Sequence, residues 1–234
     1  MFSVIFEVFP KKEKFEAYLG LAKELKPLLE NIEGFVDNER FESRRRPGWI
    51  LSHSTWRDEK SVVRWRTTGE HHMIQEQGRN DVFDDYHLRV GDVTADTQAP
   101  AEAPINEQRF DTTEVSSAKW ITLTELTPVA GTDLSKQSDL FSQMGLDITR
   151  AAIADHDVFA SIYNPGKLAL LVSWKEWEAA ALWNPVVNSN IQALRHRLIR
   201  IVRDYGMFDR RESPQYYPDA KGQSTVHAAP ARKR

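Results

Sequence analysis

Apolar and polar positions change their period several times along the first ninety or so residues, and each change marks an element. Residues 3–9 form an apolar, β-prone run that Pro10-Lys11-Lys12 stops, which predicts a strand. Phe15, Leu19, Ala22, Leu25, Leu29 and Ile32 then recur at spacings of three and four, drawing one apolar stripe along a helix from about 13 to 32, with Pro27 placed to kink it. Gly34 suits the helix exit, Phe35-Val36 through Phe41 begins an extended segment, and Arg44-Arg45-Arg46-Pro47-Gly48 closes it as a polar, solvated turn. Trp49-Ile50-Leu51 starts a third strand running into Trp56. Asp58 and Glu59 lead a short helix, where their charge opposes the partial positive charge of its first turn. Residues 70–77 form a second, polar helical piece ended by Gly78, and residues 86–93 alternate as a final strand.

That order, strand-helix-strand-strand-helix-strand, is a ferredoxin-like unit, and its markers occur twice. Trp56-Arg57-Asp58-Glu59, with Trp65 following, is rewritten as Trp174-Lys175-Glu176-Trp177 with Trp183. The offset of 118 residues from Trp56 to Trp174 also pairs Glu7 with Glu125, Pro10 with Pro128, Phe41 with Phe159 and Pro47-Gly48 with Pro165-Gly166, with no gap. Each matched residue sits at the same place in the unit, which predicts a tandem repeat. After Trp65 the copies part: aligning Leu88 with Leu198 leaves the second short of roughly the segment 70–77. Residues 94–116 lose periodicity and gather Pro100, Pro104 and alanines, as a linker does, and the chain turns polar beyond Pro214. The expected organisation is a first repeat over 1–93 holding the pocket, a linker over 94–116, a degenerate structural repeat over 117–211 and a flexible tail over 212–234.

Composition supports two globular units and removes several functions. With 41% hydrophobic residues in 234, each half can bury a core. A net charge of -3 supplies no global basic field, so neither nucleic acid nor a membrane surface is expected as a partner. Zero cysteines exclude disulfides, thiolate nucleophiles and cysteine metal sites. The first residues have no signal-peptide pattern and no apolar run reaches the ~18 residues of a membrane span, so a cytoplasmic location is expected.

Trp56-Arg57-Asp58-Glu59, Trp65, Glu70-His71-His72, Gln75, Gly78-Arg79, Phe83, Asp85 through Val90, and Val202 through Met207 together resemble the antibiotic biosynthesis monooxygenase family. The resemblance covers residues 2–93 well and 118–207 more weakly. It implies an α+β fold of two ferredoxin-like βαββαβ repeats packed as an intramolecular dimeric α+β barrel. It also implies one of several activities: cofactor-independent oxygenation of quinols or anthrones, haem degradation, or none. The haem-degrading members pair a histidine with a first-strand asparagine, and Ser3-Val4-Ile5-Phe6-Glu7 contains none.

His71 and His72 are the sharpest chemical candidates, because an imidazole accepts a phenol or quinol proton near neutral pH or ligates haem iron. Both lie in the segment that the second copy lacks. On a helix either could share a face with Gln75, and His72 is slightly favoured. Arg79 and Tyr86, at positions resembling the family's, are expected to face a developing oxyanion or enolate. Trp65 and Trp56 could line a cavity for a flat ligand, though their recurrence favours packing. No metal site is expected from adjacent histidines, which point apart on a helix. The leading expectation is thus a monooxygenase of an electron-rich aromatic, a quinol or anthrone, using O₂ with no cofactor and His71, His72 and Arg79 as catalytic residues, with Trp65, Gln75 and Tyr86 binding substrate. The alternatives are a haem protein with His71 or His72, His72 foremost, as axial ligand, and a non-catalytic small-molecule binder. A homo-oligomer of the fused pair is also allowed.

Overall fold

The computed structural model describes residues 1–134 and 139–214. Four strands come from the first half, β1 (Phe2–Pro10), β2 (Phe35–Ser43), β3 (Ile50–Trp56) and β4 (Phe83–Asp96). Four come from the second, β5 (Trp120–Pro128), β6 (Ile153–Ser161), β7 (Leu168–Trp174) and β8 (Ile191–Gly206). Helix α1 (Phe15–Glu30) follows a 3-10 turn at Lys12–Lys14 and precedes β2, and α2 (Glu59–Thr67) and α3 (Gly69–Gln77) lie between β3 and β4. In the second half α4 (Leu140–Gln143) precedes β6 and α5 (Trp177–Leu182) precedes β8. The fold is α+β, and the strands close into a barrel in the order β1-β3-β2-β6-β7-β5-β8-β4, every pair antiparallel.

The halves meet edge to edge at two seams. β4 and β8 pair from His87 opposite Gly206 to Asp96 opposite Arg197, whereas β2 and β6 pair only over Phe41–Ser43. The long seam explains why β4 outruns the expected strand over 86–93 and passes the repeat boundary at 93. Length there comes from a partner about a hundred residues away, which local periodicity does not register. The barrel interior gathers Ile5, Phe41 and Leu51 with Ile121, Leu123 and Phe159, all fully buried, each worth roughly 1.5 to 3 kcal/mol.

The interior also holds charge. Glu7 is 3% exposed and bonds to Arg46 and Arg89; Arg46 Nε then donates to Asp157 at 2.9 Å and Arg89 Nη1 to Ser173 Oγ at 2.9 Å, both on the other half. Burial alone would raise the Glu7 carboxyl, but the Arg89 and Arg46 guanidiniums hold it down to about 2. Glu125 repeats the arrangement with Arg197 and Lys167, each at 2.6 Å, and Lys167 reaches across to Glu39. The expected solvated turn is therefore only partly solvated: Arg45 pairs with Asp155 at the surface, but Arg46 turns inward.

The remaining differences have local causes. Val4 lies opposite Val90 and Thr122 opposite Leu198, so the counterpart of Leu88 is His196 rather than Leu198. A slip of two residues keeps every side chain on its own face, so alternation alone does not detect it. α4 spans four residues where α1 spans sixteen, and Gly131, at φ 82°, stands between β5 and it. Residues 97–119 contain no helix or strand, as a linker would, yet they are packed: Ala103 is fully buried, Thr113 N donates to Ile201 O at 2.7 Å, and Arg109 N to Asp92 at 2.8 Å. Glu212 is bonded through Thr113 at 2.6 Å, and the rest of the expected tail, from 215, lies outside the described residues. Among the described residues no helix is long and apolar enough to cross a membrane.

Breaking the interior network should be costly. Glu7→Gln leaves the buried Arg89 guanidinium without its carboxylate and Arg46 with Asp157 alone, and is expected to lower the unfolding free energy by about 3 to 5 kcal/mol, against less than about 1 for Arg45→Ala at the exposed pair. Equal urea midpoints for the two variants would contradict this.

Candidate active site

Even-numbered residues of β1 face away from the barrel, and there, beneath α1, α2 and α3, lies a cavity of about 210 Å³. Val4, Phe6, Leu88 and Val90 floor it, and Ala22, Leu25 and Leu29 on α1 roof it. The pocket expected in the first repeat is thus outside the barrel, between sheet and helices. On the second half the corresponding face is covered by Leu126, Leu140, Phe141, Met144 and Trp183, all buried in one cluster, with the Trp183 indole donating to Met144 O at 3.1 Å.

Helix α2 begins with Asp58, whose carboxylate accepts from Ser61 N at 2.8 Å, and it carries Trp65 to the cavity. Trp56 and Trp174 are fully buried scaffold, their indoles bonded to Ser54 and Thr122 at 2.9 Å. Trp65 behaves differently: it stacks on the His71 ring with centroids 4.1 Å apart and planes 15° apart. His71 Nδ1 lies 3.0 Å from the Trp65 carbonyl oxygen. A carbonyl only accepts, so Nδ1 bears the proton and Nε2 keeps its lone pair. Burial pushes the imidazole down to about 4, well below its usual range, so the ring is neutral at pH 7.

His72, the favoured member of the pair, is exposed, because successive helical residues are turned about 100° from one another. The face of His71 instead continues through Gln75, whose amide nitrogen is 3.4 Å from the ring, to Arg79. After Gln77 the helix relaxes into a π turn, Gly78–Val82, which carries Arg79 inward. Arg79 is 6% exposed and donates to Met207 O at 2.9 Å and to the Tyr86 hydroxyl at 3.3 Å. Arg210 donates to the same hydroxyl at 2.5 Å. Five of the six expected site residues, Trp65, His71, Gln75, Arg79 and Tyr86, therefore line one cavity, and His72 does not.

Arg40, Arg203, Tyr205 and Arg210 also line the cavity and were not among the expected site residues, although Arg203 and Tyr205 lie in the stretch Val202 through Met207 that resembles the family. Burial pushes the Tyr205 phenol up to about 12, so it is neutral. β8 brings Arg203 and Tyr205 across the long seam, and no periodicity in the first half points to them. Among the described residues no three potential ligands converge to hold a metal.

These features define a class: α+β barrels with a helix-covered cavity on one sheet. The profile of the antibiotic biosynthesis monooxygenase family matches residues 1–77. A protein of Pyricularia oryzae (strain 70-15 / ATCC MYA-4617 / FGSC 8958) described as jasmonate monooxygenase ABM is 42% identical over 226 residues, 94% of this chain and 100% of that one. The chain belongs to the antibiotic biosynthesis monooxygenase family. A solved aldoxime dehydratase is 10% identical, with 86% of this chain and 81% of that one covered at a TM-score of 0.53, a likeness of fold alone. A solved antibiotic biosynthesis monooxygenase, 19% identical, covers 38% of this chain and 95% of its own at a TM-score of 0.35.

Two measurements check the site. Between pH 6.5 and about 4 the unfolded chain binds a proton at His71 that the folded chain refuses, so the stability contributed by this group is full above 6.5 and falls as pH drops towards 4. Imidazole NMR should show His71 neutral until about pH 4, and a midpoint near 6.5 would contradict its burial. A Cβ at Gly78 would stand 2.5 Å from the Phe83 ring, so Gly78→Ala is expected to lose about 1 to 3 kcal/mol in thermal unfolding.

Proposed function

We propose that this chain is a monooxygenase whose chemistry takes place in the first-half cavity with His71 Nε2 as the base. The halves read as fused copies of one ferredoxin-like unit, the first keeping the pocket and the second serving as its structural partner. The observation that carries the proposal is the fixed, neutral imidazole: its Nδ1 proton is tied to the Trp65 carbonyl, its plane is held by the Trp65 ring, and its Nε2, with the Gln75 amide nitrogen 3.4 Å away, lines the cavity.

With an electron-rich substrate of quinol or anthrone type, Nε2 would take the acidic proton and the resulting carbanion would reduce O₂. For an anthrone methylene the balance closes without a cofactor: the CH₂ becomes C=O with one oxygen atom, and the other leaves as water with the two hydrogens. Jasmonate, named for the Pyricularia oryzae relative, is the other substrate to assay. Hydroxylating an unactivated C–H bond would draw two electrons from an added reductant, so the need for a reductant separates the two substrate classes. The haem alternative has less support. The first strand, Ser3-Val4-Ile5-Phe6-Glu7, carries no asparagine to accompany the histidine.

His71→Ala should lower kcat about 10²- to 10⁴-fold in oxygen uptake, whereas His72→Ala should not change it. Because the folded imidazole titrates at about 4, kcat/KM should stay flat from neutral pH downward and fall only as that value is approached. Full activity of His71→Ala would sink the base assignment, and a haemin Soret band lost in that variant would favour the haem reading.

A further inference from the structure

The cavity has two unlike ends. His71 on α3 and Arg79 in the π turn that continues it are eight residues apart, on the order of 12 Å along the helical path. The floor agrees: Tyr86 and Val90 stand four residues apart on β4, about 13 Å along the strand. Trp65 and Val90 belong to one apolar cluster, and Tyr86 belongs to another with Val8, Tyr18 and Tyr205. The base therefore sits at one end and the Arg79–Tyr86 pair at the other, too far apart for Arg79 to bear on charge formed beside His71.

The lining is also strongly cationic. Among the described residues, Arg40, Arg66, Arg79, Arg203 and Arg210 line the cavity with one carboxylate, Glu59, which Arg109 binds at 2.9 and 3.2 Å. At the far end the Tyr86 oxygen accepts from both Arg79 and Arg210. A phenol oxygen so engaged has its own proton left to donate, and two guanidiniums beside it favour a negative acceptor. Apolar walls lower the local dielectric and strengthen that preference.

We infer that the cavity takes a monocarboxylate: the acid group is clamped by Arg79, Arg210 and the Tyr86 hydroxyl, and an apolar body on the order of ten ångströms long lies along Phe6 and Leu88 so that its far end reaches His71. Arg79 and Tyr86 thus bind the substrate's existing charge rather than an oxyanion formed during reaction. This rests on the reading that the cavity is the substrate site, but binding requires no turnover.

Calorimetric titration of the full chain with matched acid and ester pairs, jasmonate with methyl jasmonate and decanoate with methyl decanoate, tests the clamp. At least one acid should bind ten-fold or more tighter than its ester. Arg79→Gln and Arg210→Gln should each weaken that acid about 10- to 100-fold and leave the ester unchanged, and Arg64→Gln, at an exposed arginine outside the cavity, should do neither. Arg79 also anchors Met207 O, so Arg210→Gln decides the matter if Arg79→Gln unfolds. Acid and ester binding alike, no binding by any member of either pair, or acid preference surviving in Arg210→Gln overturns the clamp. Acid-selective binding with no oxygen uptake would keep the clamp and reject the oxygenase, and uptake with a neutral quinol and no acid preference would do the reverse.

Discussion

Two inward-facing carboxylates, the buried Glu7 and the half-buried Glu125, govern how the barrel closes. Each sits on the first strand of its half with a side chain aimed at the interior, where an isolated charge would cost several kcal/mol. Each is neutralised first by an arginine of its own half, Arg89 or Arg197, and then by a cation linked to the opposite half. Arg46 joins Glu7 to Asp157, and Lys167 joins Glu125 to Glu39. Neither half satisfies its charges alone. The network selects one register at each seam, because a slipped pairing would leave a guanidinium or a carboxylate buried without its partner.

With the interior committed to packing and charge neutralisation, a ligand space can open only on the outer faces of the sheet. There the halves diverge. The first half has a sixteen-residue α1 standing over the sheet, and its Trp65 turns to His71; the second has a four-residue α4, and its Trp183 turns inward to Met144 and Trp174. One arrangement leaves a cavity and the other fills it. The segment 69–82, present in one half only, supplies the imidazole, the amide and the guanidinium on a single helical face. The wall opposite them is completed by Arg203 and Tyr205, so the second half contributes to the first half's site through the long seam.

Much of this was legible in the chain. The two tryptophan pairs, the Pro-Gly turns that place Gly48 and Gly166 at φ 83°, and the three-and-four spacing of α1 each follow from short-range sterics and side-chain periodicity. The segment 70–77, which has no counterpart in the second half, holds His71 and Gln75, and these line the cavity with Arg79 just beyond it. Where the reading failed, the missing quantity was an angle or a distant contact. His72 and His71 are equivalent in composition and differ only in which way the helix is rotated against the sheet.

The amino-acid order by itself determined the element sequence, the markers shared by the two halves and the segment found in one half only, because these depend on interactions within a few residues. Tertiary structure alone decided that the cavity lies outside the barrel, that Trp65 leaves the scaffold to hold His71, that Arg46 turns inward, and that Arg210 meets Arg79 on one phenol. Those outcomes follow from closing a barrel between strands about a hundred residues apart. That closure is driven by burial and charge neutralisation summed over both halves, which no local window contains.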